Sequence, residues 1–417
     1  MRIIADFHLH SKYSRATSKN MEVEQLAAGA KTKGLNMLGT GDFTHPSWLE
    51  ELKENLKPLD NSGIFQTNGI YWMLTVEVST VYQQDGWTKK VHHLIHVPDF
   101  ETVDQINNAL AKYGDLATDG RPTLSITSPE LIEILMEINK EILVLPAHAW
   151  TPWFSVFGSR SGFNSLEECY QDQMKHIFAL ETGLSSDPSM NWRLSSLDKI
   201  TLMSSSDSHS PNPWRLGREA NVFELEKISF KEIYDAVKKK DKKRFLFTIE
   251  TDPSYGKYHF DGHRNCDINM SPEEAKRFNN ICPKCKRRLT IGVMHRVEDL
   301  ADRPEGFVPK DAIPFKSLLP LYEIISFAWG TGQLYSRKTM DEQNKLIERF
   351  GNELNVLLDV PEEELRKVTD EIIVDAIMKI RKGEVKFVPG YDGVYGKPIL
   401  TDSLKRKLFG QKSLKEF

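Results

Sequence analysis

Long apolar runs are missing from this chain of 417 residues. No stretch is long enough to span a bilayer, and no charged segment followed by an apolar one opens the sequence. These absences argue against a helical membrane protein and lead to the expectation of a cytoplasmic one. An excess of one charge is missing too: 55 Lys and Arg against 59 Asp and Glu leave a formal net charge of −4, no global sign of nucleic-acid binding. Cysteine is scarce, at four residues, which speaks against a disulfide framework. There is no internal repeat, no Gly-x-Ser-x-Gly elbow and no Gly-x-x-x-x-Gly-Lys-Ser phosphate loop, so a Ser/His/Asp triad and nucleotide binding of that type have no support.

What is present begins at once. Ile3-Ile4-Ala5-Asp6-Phe7-His8-Leu9-His10 reads as an apolar strand ending in Asp-x-His-x-His, and alternate residues on a strand share a side, so Asp6, His8 and His10 are expected to converge. Other apolar runs end in similar residues. Leu35 to Gly41 delivers Asp42, Tyr71 to Val76 delivers Glu77, and Val91 precedes His92. Ile142 to Ala147 delivers His148, and Leu202 to Ser206 delivers Asp207 and His209. Each has an ordinary reading as a cap, turn or core residue. Their repetition at one structural position points to a common metal site.

Helical stretches at Met21 to Lys33, Asp104 to Tyr113 and Pro129 to Asn139 separate the strands, and the alternation predicts a parallel sheet in an α/β barrel. In such barrels the active site lies at the carboxyl ends of the strands. Imidazoles and carboxylates suit zinc, manganese or iron, with magnesium also open. Ions so held lower the pKa of a bound water and stabilise charge on phosphoryl oxygens.

Cys266, Cys282 and Cys285 cluster near His259, His263 and His295, while Cys169 stands alone. His263-x-x-Cys266 with Cys282-Pro-Lys-Cys285 has the spacing of a closed tetrahedral site for one structural zinc, with His259 as competitor to His263. Beyond Arg303-Pro304, helical periodicity covers Leu318 to Trp329, Met340 to Leu358 and Pro361 to Arg381. A glycine and aromatic loop from Val388 to Pro398 precedes a short basic helix with Lys405-Arg406-Lys407. The expected division is 1–245, 246–303, 304–388 and 389–417.

Asp6-Phe7-His8-Leu9-His10, Gly34-Leu35 through Gly41-Asp42, Glu77, Val91-His92, Pro146-Ala147-His148 and Ser206-Asp207-Ser208-His209 together resemble the polymerase and histidinol phosphatase superfamily. That resemblance implies a distorted seven-stranded (β/α) barrel holding two or three divalent ions, with His8, His10, Glu77, His92, His148, Asp207 and His209 as ligands and Asp207, His209 and Glu77 as catalytic residues. Two positions depart from the family pattern. Gly41-Asp42-Phe43 lacks a histidine after Asp42, so Asp42 stands in as a ligand, and Tyr13-Ser14-Arg15 lacks a further one. His92 is preferred to His96, which shares its parity, and His93 faces the opposite side.

With the zinc module and the helical domain, the order of motifs, including Thr40 to Pro46, Ser206 to Pro211, Tyr258 to Cys266 and Leu289 to Val297, resembles the endonuclease Q family. The resemblance implies a monomeric DNA-repair nuclease with damaged DNA as its partner. Such an enzyme cuts 5′ to uracil, hypoxanthine, xanthine or an abasic site and leaves a 3′-hydroxyl and a 5′-phosphate. Trp150, Trp153, Phe154, Trp214, Arg218, Tyr391 and Tyr395 are candidates to meet the substrate, each with a packing alternative. Two other functions compete: a phosphatase of small monoesters, and an inert nucleic-acid binding module.

Overall fold

The computed structural model describes residues 1–400, so the basic helix expected near Lys405 lies outside the described residues. No helix among those residues is long and apolar enough to cross a membrane.

The first strand, Arg2–Asp6, lies in the middle of the main sheet. Ile3, Ala5 and Phe7 pack with Met37, Met73, Leu94, Leu145 and Met203 in an inner core, while Ile4 joins Leu26 and Ala30 in an outer one. A strand covered on both faces must be apolar on both, which explains its unbroken hydrophobic run. Pairing is parallel to Met37–Gly39 and from there to Ile70–Gln84. The next step is antiparallel: Ile70–Gln84 and Trp87–Val97 form a long hairpin, and Leu143–Pro146 pairs antiparallel to its second arm. On the other side of the first strand lie Ala220–Glu224, antiparallel to it, then Phe245–Glu250, antiparallel to Ala220–Glu224, and then Phe315–Ser317, parallel to Phe245–Glu250.

The expected all-parallel sheet is therefore mixed. Asp85 and Gly86, with φ of 53° and 78°, make a two-residue turn, and such a turn joins only antiparallel neighbours. Ala179–Glu181 and Thr201–Met203 form a separate parallel pair. Ala149 N donates to Glu181 O at 2.9 Å, and a parallel bridge joins Leu9 to Ser208, so this pair bends the sheet round towards its first strand.

The expected helices appear slightly shifted, as Val23–Lys33, Phe100–Leu110 and Ser128–Ile138. A capping box between Thr127 and Glu130 sets the start of the last. The C-terminal region is helical but more broken than its periodicity suggests. Met340 to Leu358 divides into the end of Arg337–Phe350 and Glu353–Leu358, because Gly351 takes a φ of 91° and Asn352 caps the new helix. Likewise Pro361 to Arg381 divides into Glu362–Arg366 and Glu371–Arg381. The boundary expected at 245/246 falls at the start of a main-sheet strand, and Phe315–Ser317 returns to that sheet after the cysteine segment.

Candidate metal centre and adjoining pocket

Glu77 and His92 lie inside the hairpin arms, not at strand ends as expected. Glu77 faces Leu94 across the ladder and Ser79 faces His92, so the two site residues are diagonal neighbours on the inner face. Glu77 Oε1 lies 2.7 Å from His92 Nδ1 and 2.9 Å from His148 Nε2. Its other oxygen, Oε2, lies 3.4 Å from His10 Nε2 and 3.6 Å from His8 Nε2. One buried carboxylate thus serves two groups of imidazoles. His96 packs against Phe7 at 5.5 Å and His93 bonds Tyr170 Oη on the outer face, so neither enters the cluster.

His8 and His10 extend beyond the first strand. Asp6 does not converge with them: its carboxylate accepts from Ser206 N and Oγ and from Gly217 N, tying down the loop that bears Asp207. Asp42 also stands apart from the expected ligand role. One oxygen meets His10 Nδ1 at 3.0 Å and the other accepts from Ser11 and Ser14, so Asp42 orients His10 from behind. Glu181 does the same for His8, with 3.0 Å from Oε2 to His8 Nδ1, and it also accepts from His148 N at 2.8 Å. Glu181 escaped the sequence reading, although it ends the apolar run Ile177 to Leu180.

Asp207 Oδ1 completes the first group, 3.1 Å from His10 Nε2 and 3.5 Å from His8 Nε2. Asp42, His148 and Asp207 have φ of 49°, 30° and 49°, the left-handed region that non-glycine residues enter only where their surroundings hold them. Around His148 the hold is visible. A Cβ on Gly183 would lie 2.6 Å from His148 Cβ, so only glycine lets the two segments meet. His209 lies beside the first group without joining it: its ring centroid is 4.6 Å from that of His10, and Nδ1 bonds Asp207 O at 2.9 Å.

His8, His10, Glu77 and Asp207 each present one atom within 4.8 Å of the others, as do Glu77, His92 and His148, and each group could hold a metal ion. Burial alone would lower the pKa of His8 and His10. Carboxylates outweigh it: Glu181, Asp207 and Glu77 raise His8 well above its usual range, and Asp42 leads the groups that raise His10. Such a field favours a cation. The fit is also local, because the buried His8 Nε2 has no hydrogen-bond partner and belongs to the first group. Arg121, from an irregular loop, reaches Glu77 Oε2 at 3.1 Å and was not foreseen.

The second candidate metal site gathers His263, Cys266, Cys282 and Cys285. A hairpin, Asp261–His263 with Ile268–Met270, supplies the first pair, and Cys285 Sγ lies 3.3 Å from His263 Nδ1. Desolvation pushes the Cys282 thiol up, but the backbone N–H groups of Cys285 and Lys284 and the His263 side chain bring it down to about 6, which favours the thiolate that binds metal. His259 is absent from this group. It lines a cavity of about 350 Å³ instead, where burial holds its pKa down to about 4.

That cavity opens on Asp207 and His148 and is walled by Trp153, Tyr258 and Tyr395. Trp153 and Tyr258 meet edge to face at 6.2 Å. Several proposed substrate contacts resolve into packing. Trp150 is fully buried, with Nε1 donating to Asn191. Phe154 packs on His92 at 4.7 Å and Trp214 joins Tyr322 and Tyr335, whereas Arg218, 3.7 Å from Glu323, also lines a cleft with Asp207 and His209. Tyr391 Oη bonds Asp267 on the cysteine segment. Trp153 and Tyr395 remain exposed at 48% and 61% and face the cavity.

Imidazoles around a shared carboxylate, beside an aromatic cavity, suit the cleavage of phosphodiesters, and the chain is a metal-dependent phosphodiesterase. It shares its fold (TM-score 0.86) with the lesion-specific endonuclease PfuEndoQ from Pyrococcus furiosus, at 36% identity over 95% of each chain. It likewise matches endonuclease Q in complex with a 27-mer duplex bearing an abasic lesion at the active site, with a TM-score of 0.85 and 35% identity over 97% of this chain and 98% of that one. The chain belongs to the endonuclease Q family. An uncharacterised protein of Methanocaldococcus jannaschii, MJ0043, is 34% identical over 255 residues, 60% of this chain but only 31% of that protein. Residues 320–384 match the family described as the MJ0043 C-terminal domain.

Proposed function

We propose that the chain is a DNA-repair endonuclease that cuts 5′ to deaminated bases and abasic sites. The observation that carries this reading is the junction of the shared-carboxylate cluster with the aromatic cavity, through Asp207 and His148. A base lesion in duplex DNA must leave the stack to be inspected, at a cost of about a few kcal/mol that is least for mispaired or missing bases. The cavity would take the extruded residue between Trp153, Tyr258 and Tyr395, while the adjacent cluster meets the phosphate on its 5′ side.

His8, His10, Glu77 and Asp207 would hold one divalent ion and His92 and His148 a second, with Glu77 between them. Bound there, the ions supply an activated water and neutralise charge on the phosphoryl oxygens. Asp42 and Glu181 fix the rings of His10 and His8. With Nδ1 of His209 donating to Asp207 O, its Nε2 is free to take up and return a proton. Attack on phosphorus breaks the bond to the 3′ oxygen, giving a 3′-hydroxyl and a 5′-phosphate. The strands Arg2–Asp6, Met37–Gly39, Ile70–Gln84, Trp87–Val97, Leu143–Pro146, Ala179–Glu181 and Thr201–Met203 would form the seven-stranded barrel. His263, Cys266, Cys282 and Cys285 would hold a structural zinc.

The test is nicking of duplexes carrying uracil, hypoxanthine or an abasic site by the wild type and Asp207→Ala. Lesion-specific nicks that vanish in the variant are expected. Hydrolysis of phosphate monoesters alone would overturn the reading, as would binding without cleavage across several divalent metals.

A further inference from the structure

Tyr258 and His259, in the wall of the cavity, lie just before the hairpin strand Asp261–His263, and the cysteine segment holds them from both of its ends. Val293 N donates to Tyr258 O at 2.8 Å and Met294 N to His259 O at 3.0 Å, at the start of the helix Val293–Leu300. Gly292 N donates to Asp261 Oδ1 at 2.6 Å, and a Cβ at Gly292 would fall 2.5 Å from His259 O, so only glycine lets that helix begin against the wall. Tyr395 is held from the same side. Asp392 accepts from Arg264 N and from Thr290 Oγ1, each at 2.7 Å, and Gly393 N donates to Lys257 O at 2.9 Å. Tyr258 and Tyr395 therefore hang on a segment whose own buried core is Ala275, Cys282 and Leu289.

So little burial leaves the order of this segment to its ligand cluster. His263, Cys266, Cys282 and Cys285 present ligand atoms within 4.8 Å of one another, and Cys285 is exposed while Cys282 is buried. Two thiolates in Cys-x-x-Cys spacing serve as metal ligands or close a disulfide, but not both at once. We propose that Cys282 and Cys285 are a redox modification site whose oxidation by a peroxide releases the wall of the cavity. The Cys285 thiolate attacks hydrogen peroxide, the O–O bond breaks, hydroxide leaves and a sulfenic acid forms. The Cys282 thiolate then attacks that sulfur, the S–O bond breaks, a second hydroxide leaves and the disulfide closes. Two electrons pass from the sulfurs to the peroxide oxygens. The site keeps only His263 and Cys266 as ligands and loses its metal. Without that staple the segment frees Tyr258, His259 and Tyr395, while the Glu77 cluster keeps its inner core. Resting on the zinc and lesion readings above, this makes lesion cutting sensitive to oxidation at a distance from the reacting centre.

The experiment treats the metal-loaded wild type with hydrogen peroxide and follows zinc release, disulfide mapping by mass spectrometry, amide exchange, and cleavage of a uracil duplex and of bis(4-nitrophenyl) phosphate. Expected are a disulfide between Cys282 and Cys285, released zinc, and faster exchange at residues 257–260 and 391–395. Nicking of the uracil duplex should fall about tenfold or more as stacking in the cavity is lost, while hydrolysis of the small diester holds. A thiol reductant with added zinc should reverse these changes. Zinc release without that disulfide, a disulfide that leaves exchange unchanged, or an equal loss on both substrates would overturn the proposal. Cys285→His, which keeps four candidate ligands but not the thiol pair, should hold its zinc through the same treatment, and zinc loss at the wild-type rate would also overturn it. If the untreated wild type cuts no uracil duplex, the lesion reading falls, and the disulfide, the zinc and the exchange still decide this proposal.

Discussion

The main sheet and the cysteine segment each offer a candidate metal site, but on different foundations. Behind the Glu77 cluster stands an inner core that includes Phe7, Leu94, Leu145 and Met203, none of which needs an ion to pack. Behind the cysteine cluster stand three buried side chains, Ala275, Cys282 and Leu289, and one of these is itself a proposed ligand. Segments with so little apolar burial require a staple. Under the proposed function, this contrast would put chemistry at the first site and folding at the second.

Removing a ligand from each side is the strongest way to break that contrast. Glu77→Gln should keep the fold and the thermal midpoint close to wild type while lowering kcat/KM for an abasic duplex by about 10³-fold, since the shared carboxylate serves both imidazole groups. Cys282→Ser should do the reverse locally. We expect loss of its zinc and fast amide exchange across residues 257–295, with the strands of the main sheet still protected. Should Glu77→Gln instead unfold the protein, or Cys282→Ser keep both zinc and protection, the division of labour would fail.

A smaller effect separates two neighbouring tryptophans. Trp150 is fully buried on Phe157 with its N–H satisfied, so Trp150→Ala should cost about 3–5 kcal/mol of stability in chemical denaturation. Trp153, nearly half exposed in the cavity wall, should cost little stability when replaced by alanine but weaken discrimination between lesion and intact duplex. Equal stability losses would place Trp153 in the core.

These two residues also mark where sequence reading stops. His8, His10, Glu77, His92, His148 and Asp207 were legible because each is a polar residue set against an apolar run, and the structure brings them within reach of one another. Glu181 carried the same signal and was passed over. Asp85-Gly86 announced the hairpin that makes the sheet mixed, but the helix and strand alternation around it pointed to parallel pairing. Asp6 and Asp42 show a different limit: parity and position identify a carboxylate near the site, while its hydrogen-bond donors decide whether it faces the shared point or braces a neighbour. The cavity had no local signal at all. Its walls come from segments around 148–153, 183–185, 253–259 and Tyr395, and only the packing of the cysteine segment against the main sheet joins them.

The smallest expected effect comes from the histidine in that wall. Burial lowers the pKa of His259 to about 4, against an unfolded value of about 6.5. A depressed folded pKa means that the unfolded chain binds the proton more readily. The neutral form therefore contributes stability that is fully present above pH 6.5 and is lost as the pH falls towards 4. Its limiting slope is about 1.4 kcal/mol per pH unit. In the main sheet, His96 is held lower still, at about 3, by the same cause. His93, on the other face of the same strand, is held at about 3 as well. His259→Phe should therefore make the pH dependence of the unfolding free energy shallower between 6.5 and 4 by its own share, while the contributions of His93 and His96 continue to fall away below 4. If the variant and the wild type lose stability in parallel over that window, His259 is not held neutral in the folded protein and the cavity wall is open to water.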